Sequence, residues 1–356
     1  MPVAQQIIKI GPVTYCLVKE IGSSSYGEIW LARCRESGGQ AAIKFVRREK
    51  MDAAHPDDQY RWTAALEREI AFLRTIRAPH LVACHRHGKH DDLPVMVLEA
   101  LDCDLHQLVR QGNAAISLSQ SLEWLRQMSE GLRVINQLGH CHLDLKPKNL
   151  LLTPSGPLGR RIKIADFGEC LAQQVEIHGC CGTPGLQAPE QFFPVDCVDG
   201  KFIYHTTAQT DLYALGLIFF FMVTGKHTHF ATEATRIFKE GREQAAWNTR
   251  HSLKPDVTSE DRVQFLAALG MGSANIREGM DEEHDTWLPG MANQPTSTNV
   301  IKQPRPASPT SEAASLAALA LLEHLLKADP QDRPGSAERV LENIGSTLRN
   351  MERPKK

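Results

Sequence analysis

Apolar residues in the first hundred positions fall into short runs separated by turn residues. Residues 41–46 and 95–98 are mostly apolar runs whose length predicts buried strands. Residues 21–29 place glycine and serine between two short apolar runs, which predicts a turn between two more strands. We therefore expect a sheet in the first part of the chain.

Helical spacing appears once within this part and dominates after it. Apolar residues recur at positions 66, 70, 73 and 76, and Pro79 ends this predicted helix. Further helices are predicted at residues 118–138, 210–223, 263–269 and 316–326. A sheet-rich part thus precedes a helix-rich part, with a linker near residues 99–101.

The composition is that of a globular protein, with 42% hydrophobic and 23% charged residues. A formal net charge of −2 gives no general attraction to nucleic acid or to anionic membranes, so neither partner is expected. The nine cysteines form no Cys-x-x-Cys pair, and their odd number argues against a disulfide framework. This pattern predicts a reducing, cytoplasmic location.

Two segments of unusual composition predict whether the chain enters a membrane and where it is flexible. Residues 212–223 are the most apolar stretch but are too short to span a bilayer, and the amino terminus lacks the features of a secretory signal. We expect no membrane segment. Residues 288–313 are rich in proline, serine and threonine, which predicts a flexible surface insertion.

Residues 142–149, His-Leu-Asp-Leu-Lys-Pro-Lys-Asn, combine an acid, cations and an amide on one short segment, and Asp-Phe-Gly follows at residues 166–168. Phosphoryl transfer from a nucleotide needs such groups. One carboxylate accepts the proton of the attacking hydroxyl, an amide and a second carboxylate hold magnesium, and a cation stabilises the moving phosphoryl group.

Residues 142–149 resemble the catalytic loop of protein kinases, and residues 166–168 resemble the magnesium-binding triplet of that family. The resemblance implies that Asp144 is the base and that Lys146 stabilises the phosphoryl group. It also implies that Asn149 and Asp166 hold Mg²⁺. ATP is the expected nucleotide.

The nucleotide half of the site resembles the same family. Residues 22–27 resemble its glycine-rich loop, with Ser24 in place of the middle glycine; a plain hairpin turn is the alternative. Lys44 resembles the strand lysine that binds phosphates. Because it lies in an apolar strand it needs a carboxylate partner, for which Glu69 is the first candidate and Glu67 the alternative.

Residues 98–101 resemble the hinge whose backbone binds adenine, with Leu98 at the gatekeeper position. Three apolar residues would roof the base, although ordinary core packing would explain them equally well. The residues expected to bind the nucleotide are Ile21, Gly22, Ser24, Gly27, Ile29, Ala42, Lys44, Glu69, Glu99 and Leu101.

Later landmarks point to a protein substrate. Residues 182–190, 211–216 and 329–334 resemble the peptide-docking floor, the buried central helix and the late Asp-Pro-x-x-Arg-Pro motif of protein kinases. The resemblance implies a buried ion pair between Glu190 and Arg333. By the same resemblance, Lys146 and Thr183 imply a preference for serine and threonine over tyrosine as acceptors.

The resemblance implies a bilobal α+β fold of the Ser/Thr protein kinase family. Residues 1–98 would form a small antiparallel-sheet lobe with one helix, residues 99–101 the hinge, and residues 102–356 a larger, mainly helical lobe. The expected activity is ATP- and Mg²⁺-dependent phosphorylation of protein Ser/Thr hydroxyls, including autophosphorylation. A nucleotide-binding pseudokinase scaffold and a small-molecule phosphotransferase are the alternatives.

Several further clusters have plain interpretations. Residues 84–87 with His90 predict a solvated turn in preference to a metal site. Cys180 and Cys181 predict two reduced thiols in preference to a redox switch. His142 should pack behind the magnesium triplet. Ser308 and Thr310 are candidate autophosphorylation sites, with a spacer loop as the alternative.

Leu143 occupies the position where many protein kinases carry an arginine that binds a phosphate on the activation segment. Leucine cannot form that ion pair, and Thr183 is the only hydroxyl residue between Asp166 and Glu190. We predict equal activity with and without phosphate in this segment, measured as phosphoryl transfer. An inactive protein that Leu143→Arg alone switched on would contradict this prediction.

Overall fold

A computed structural model describes residues 2–23, 27–47, 51–52, 55–111, 116–155, 159–173, 176–271 and 310–352 of the protein. Within these ranges an antiparallel sheet comes first and helices predominate afterwards. The predicted two-lobed α+β fold is therefore confirmed.

Six antiparallel strands form the large sheet in the order β1-β2-β3-β4-β6-β5. Their bounds are β1 Ile7–Ile10, β2 Val13–Ser23, β3 Gly27–Cys34, β4 Gln40–Val46, β5 Cys84–His90 and β6 Leu93–Glu99. The strands predicted at residues 41–46 and 95–98 are present, and β2 and β3 are the two strands expected on either side of the turn. Strand β1 has no counterpart in the predictions.

Strand β4 is buried on both faces, and this places Lys44. Side chains alternate between the faces of a strand. Ile43 and Phe45 pack in one apolar cluster with Trp30. Ala42 packs instead in the main core, together with residues of helix α1 (Pro56–Thr75). Lys44 is two positions from Ala42, so it shares that face and points toward α1.

Helix α1 begins at Pro56 and ends at Thr75, whereas apolar spacing predicted a start at residue 66. Its first half is mostly polar, so periodicity could not reveal it. A proline is tolerated in the first turn because the N–H it lacks would have no partner within the helix.

The rest of the described chain is mainly helical. Its helices are α2 Leu105–Gln111, α3 Leu118–Gln137, α4 Pro189–Phe192, α5 Ala208–Thr224, α6 His229–Thr249, α7 Ser259–Ala268, α8 Glu312–Leu325 and α9 Ala337–Glu352. All four predicted helices are present, as α3, α5, α7 and α8. Among the described residues no single helix could cross a membrane by length and apolarity, and only the bent pair α5–α6, taken together, meets those criteria.

Short strands bring the catalytic loop, residues 142–149, next to the Asp-Phe-Gly triplet, residues 166–168. The catalytic loop lies between β8 (His140–Cys141) and β9 (Leu150–Leu152), and the Asp-Phe-Gly triplet lies between β10 (Ile162–Ile164) and β11 (Leu171–Ala172). β9 pairs with β10 and β8 pairs with β11, both antiparallel. Because both flanks pair, the loop and the triplet must face each other.

Four further strands complete the described sheets. β7 (Cys103–Asp104) extends the β9–β10 pair. A hairpin of β13 (Asp196–Val198) and β14 (Lys201–His205) joins β12 (Glu176–His178) of the segment between Asp166 and Glu190, which we call the activation segment. No sequence pattern had predicted this hairpin.

The solvated turn predicted around residues 84–87 is wrong. These residues belong to β5, which pairs with β6 at the edge of the large sheet. The side chains of β5 alternate between half-buried and exposed, and exposed positions of an edge strand readily take polar residues. Among the described residues, no group of three or more His, Cys, Asp or Glu side chains is placed to hold a metal ion.

The insertion predicted at residues 288–313 overlaps the described chain only at its end. Residues 288–309 lie outside the described residues. Helix α8 begins at Glu312, with the side chain of Ser311 accepting a hydrogen bond from the Ala314 N–H. The predicted boundary at residue 313 therefore falls inside a capped helix.

Two glycines inside helices should respond oppositely to alanine. A Cβ on Gly131 of α3 would lie 2.9 Å from Ile164 Cδ1 and 3.1 Å from the His80 carbonyl oxygen, whereas on Gly345 of α9 the nearest atom is the Arg349 side chain at 3.5 Å. We predict that Gly131→Ala lowers the free energy of unfolding by about 1–3 kcal/mol through overpacking. Gly345→Ala should raise it by up to about 1 kcal/mol through helix propensity. Denaturant titration measures both, and equal effects would contradict the close packing of α3.

Candidate active site

A buried amine between two carboxylates lies where the large sheet meets the Asp-Phe-Gly triplet. Lys44 Nζ lies 2.7 Å from Glu69 Oε2 and 2.6 Å from Asp166 Oδ1. The other oxygen of Glu69 accepts a hydrogen bond from the Phe167 N–H at 3.1 Å. Glu69 is buried and Glu67, the alternative partner, is exposed. Sheet, helix α1 and Asp-Phe-Gly triplet thus meet at one point.

Burial raises the pKa of Glu69, and the positive charge of Lys44 acts against that rise. The nearby Lys44 ammonium lowers the pKa of Asp166. The Asp166 side chain is 40% exposed and that of Glu69 only 1%. Asp166 is therefore the carboxylate of this pair that is accessible to a ligand.

Helix α5 anchors the catalytic loop through Asp211. One carboxylate oxygen accepts from the His142 N–H at 2.7 Å and the other from the Leu143 N–H at 2.8 Å. Asp211 is buried, and burial raises the pKa of its carboxyl group. Leu143 has a φ of +67°, an uncommon conformation for leucine that this anchor helps to hold.

His142 joins the loop to the triplet. Its Nε2 lies 3.1 Å from the Ala165 carbonyl oxygen, so this nitrogen must carry the proton, while Nδ1 accepts from the Asp144 N–H at 3.3 Å. The ring centroid is 5.1 Å from that of Phe167 in an edge-on arrangement. The prediction that His142 packs behind the triplet is confirmed.

The Asp144 carboxylate is held by three side chains. Thr183 Oγ1 donates to Oδ1 at 2.6 Å. Lys146 Nζ donates to Oδ2 at 2.5 Å and also to Thr183 Oγ1 at 3.0 Å. Asn149 Nδ2 contacts Oδ2 at 3.2 Å. Asp144 is thus oriented, ion-paired and already accepting a hydroxyl hydrogen bond.

Asn149 and Asp166 fit a magnesium site by the chemistry of their donor atoms. Asn149 Nδ2 donates to the Asp144 carbonyl oxygen at 2.9 Å, which fixes the amide orientation and leaves Oδ1 as a ligand atom. Lys44 contacts Oδ1 of Asp166, so Oδ2 of Asp166 can bind a cation. Amide and carboxylate oxygens are the ligands that Mg²⁺ prefers.

The apolar residues predicted to surround the adenine ring differ in their burial. Ala42 pairs with Leu98 across β4 and β6, and both belong to the main core, against which Ile29 and Leu101 pack. Ile21 is 47% exposed and belongs to none of the described apolar clusters.

The other residues predicted to bind the nucleotide belong to the glycine-rich loop and the hinge. Gly22 pairs with Ile29 across the β2–β3 hairpin, and Gly27 begins β3. Ser24 lies outside the described residues. The Glu99 side chain binds Lys163 and the Ala83 N–H, so this residue could contribute to the hinge only through its backbone.

A second buried ion pair, between Glu190 and Arg333, fixes the end of the activation segment. Arg333 Nη1 and Nη2 lie 2.7 and 2.8 Å from the two oxygens of Glu190. The Arg333 side chain is fully buried and its guanidinium lies over the Tyr213 ring. The ion pair implied by the late motif is present.

A sequence model of the protein kinase domain matches residues 15–343. The chain belongs to the protein kinase family.

Its curated relatives are named as kinases. Serine/threonine-protein kinase ATG1a of Arabidopsis thaliana is 29% identical over 250 residues, 68% of this chain and 37% of that protein. The carbon catabolite-derepressing protein kinase of Saccharomyces cerevisiae is 28% identical over 59% of this chain and 30% of its own length. Cyclin-dependent kinase F-4 of Oryza sativa subsp. japonica is 27% identical over 90% of this chain and 59% of its own length. The chain thus spans between about a third and three fifths of the relatives it matches.

In this kinase domain, apolar residues surround Leu143, which stands where many protein kinases carry the phosphate-binding arginine. Leu143 is buried with Cys141, Ile177, Cys181 and Tyr204. Ile177 lies on β12, so this cluster fastens the activation segment to the catalytic loop. The segment is held by packing and by the β12–β14–β13 sheet, which agrees with the predicted independence from phosphorylation.

The vicinal cysteines of the activation segment are both free thiols. Burial raises the pKa of Cys180 to about 11 and that of Cys181 to about 12. Both thiols are therefore protonated at neutral pH and poorly nucleophilic. The interpretation as two reduced thiols stands.

Sequence reasoning missed two positioning side chains. Thr183 was assigned only to acceptor preference, yet it bonds the proposed base. Asp211 was noted only as the start of a buried helix. An acid at the head of the continuous apolar run 212–223 was the available signal, because a buried carboxylate requires hydrogen-bond donors. Thr183 carries no comparable signal, since its partner lies 39 positions away.

Arg333 should be far more important for stability than a surface arginine. We predict that Arg333→Met lowers the free energy of unfolding by about 3–5 kcal/mol, because it strands the Glu190 carboxylate away from water. Arg236 bridges Glu233 and Glu240 on the exposed side of α6, so Arg236→Met should change stability little. Chemical denaturation of both variants checks this, and similar losses would refute the special role of the buried pair.

Proposed function

We propose that this kinase domain transfers the γ-phosphoryl group of ATP, with Mg²⁺, to serine and threonine hydroxyls of proteins. The observation that carries the proposal is the hydrogen bond from Thr183 Oγ1 to Asp144 Oδ1 at 2.6 Å. It supports the view that this carboxylate can accept the proton of an aliphatic hydroxyl in the same cleft that holds Lys44 and Asp166.

Each polar group has one role in this proposal. Asp144 orients the acceptor hydroxyl and takes its proton, and Lys146 stabilises the charge that develops on the transferred group. Lys44, held by Glu69, positions the triphosphate. Asn149 and Asp166 would hold Mg²⁺, which when bound neutralises charge on the phosphate oxygens.

The names of the relatives support serine and threonine as acceptors, since ATG1a is a serine/threonine-protein kinase by name. The resemblance at Lys146 and Thr183 agrees with this preference. Autophosphorylation is proposed at Thr310, a half-buried residue just before α8, and at Ser308, which lies outside the described residues. All nine cysteines are free, which supports a reducing, cytoplasmic location.

The two alternative functions are less well supported. A pseudokinase scaffold would not need Asp144, Asn149 and Asp166 in this mutual arrangement. A small-molecule phosphotransferase would not need the docking floor that Glu190 and Arg333 support. Both alternatives remain outcomes of the following experiment.

We predict that the pure protein, given labelled ATP, Mg²⁺ and a generic basic protein substrate, transfers label to protein. Asp144→Asn should lower kcat by about 10²-fold or more, because the general base is lost. Lys44→Met should abolish transfer by removing the group that positions the triphosphate. Glu67→Gln, at an exposed helical position two residues before Glu69, is the matched control and should leave transfer unchanged.

Three results would contradict the proposal. Nucleotide binding without transfer would identify a scaffold, and label found only on added metabolites would identify a small-molecule enzyme. Transfer that persists in Asp144→Asn would remove this residue as the base.

A further inference from the structure

Gln191 is a buried amide that touches the backbone of the catalytic loop directly. It lies on the short helix α4, and only 2% of the residue is exposed. Its Nε2 donates to the Leu143 carbonyl oxygen at 2.8 Å. That carbonyl belongs to the peptide bond joining Leu143 to Asp144, so Gln191 bonds the peptide unit next to the proposed base.

The same side chain contacts the activation segment on both sides of Thr183. Oε1 accepts from the Ala188 N–H at 3.1 Å, and Nε2 lies 3.5 Å from Cys181 Sγ. A Cβ on Gly182 would lie 2.7 Å from the Leu143 oxygen and 3.2 Å from Gln191 Nε2, so a side chain at residue 182 would disrupt this junction. Gln191 therefore fixes the loop bearing Asp144 relative to the segment bearing Thr183.

The backbone of Leu143 is thus held at both its N–H and its carbonyl group. Asp211 accepts from the N–H, and Gln191 donates to the carbonyl. A residue at a φ of +67° keeps its conformation only where its surroundings impose it. An amide can supply this contact without any charge, next to a cluster that is otherwise apolar.

We propose that Gln191 is a positioning residue for phosphoryl transfer: its amide holds the Leu143–Asp144 peptide and thereby aims the Asp144 carboxylate at the acceptor hydroxyl. This inference rests on the proposed kinase activity. It assigns no contact with the nucleotide, because the bonds of Gln191 run to the catalytic loop and the activation segment, and none runs to Lys44, Glu69 or Asp166.

The test compares two buried glutamines. Gln191→Met keeps the side-chain volume but removes the bond to Leu143. Gln127→Met is the control, because Gln127 of helix α3 is also buried, at 5% exposed, and its amide bonds the Ile162 N–H and the Glu123 side chain. Both variants should lose similar thermal stability.

We expect Gln191→Met to lower kcat by about 10- to 100-fold, the range that a misplacement of the base by less than an ångström or so produces, with the KM for ATP within about twofold of wild type. Gln127→Met should retain kcat within about threefold. Equal losses of kcat in both variants, or an unchanged kcat in Gln191→Met, would overturn the proposal.

Gln191→Glu serves if the methionine variant fails to fold. Its neutral acid form can still donate to the Leu143 carbonyl, and its ionised form cannot. Relative to wild type, its kcat should therefore fall as pH rises through the pKa of the new acid, while circular dichroism shows a folded protein throughout. A pH-independent ratio would contradict the proposed hydrogen bond.

Hydrogen exchange separates this inference from the proposed function. Amides of residues 141–146 should exchange faster in Gln191→Met than in Gln127→Met, whether or not the protein turns over ATP. A wild-type protein without transfer activity would refute the function, and exchange would then still decide whether Gln191 holds the loop. Equal exchange in the two variants would show that it does not.

Discussion

A positive charge buried between two carboxylates sets the arrangement of the cleft. Lys44 is 6% exposed on a strand buried on both faces, and an ammonium group left there alone would cost several kcal/mol. Glu69 and Asp166 remove that cost at 2.7 and 2.6 Å. The sheet, helix α1 and the Asp-Phe-Gly triplet are therefore compelled to meet, although Lys44 and Asp166 lie 122 positions apart in sequence.

The ion pair of Lys44 and Glu69 is connected by further contacts to the residues that would bind the acceptor. Glu69 also binds the Phe167 N–H, and the Phe167 ring packs on His142, whose Nδ1 accepts from the Asp144 N–H. Asp211 holds the backbone of the same loop from helix α5. The residues proposed to bind the nucleotide and those proposed to bind the acceptor are thus linked by successive direct contacts, which hold Lys44 and Asp144 in a fixed relation.

The chemical segments and the buried helices were predictable, while much of the scaffold between them was not. Asp144 and Asp166 stand in short segments whose residue types imply one reaction, and α5 is a continuous apolar run. β5 and the start of α1 are mostly polar, so hydrophobic periodicity is silent there. Gln191 bonds a backbone carbonyl 48 positions away, a partner that any residue type supplies and that no motif can reveal.

The coupling energy between Lys44 and Glu69 is the most direct measure of whether the buried ion pair organises the site. Lys44→Met, Glu69→Gln and the double variant would be unfolded by denaturant, with Lys44→Met plus Arg236→Met as a distant pair that should be additive. We predict that the double variant loses less stability than the sum of the two single losses, by about 1–3 kcal/mol, because each single change strands a buried group. Additive losses for Lys44 and Glu69 would mean that the buried charge pair does not organise the cleft.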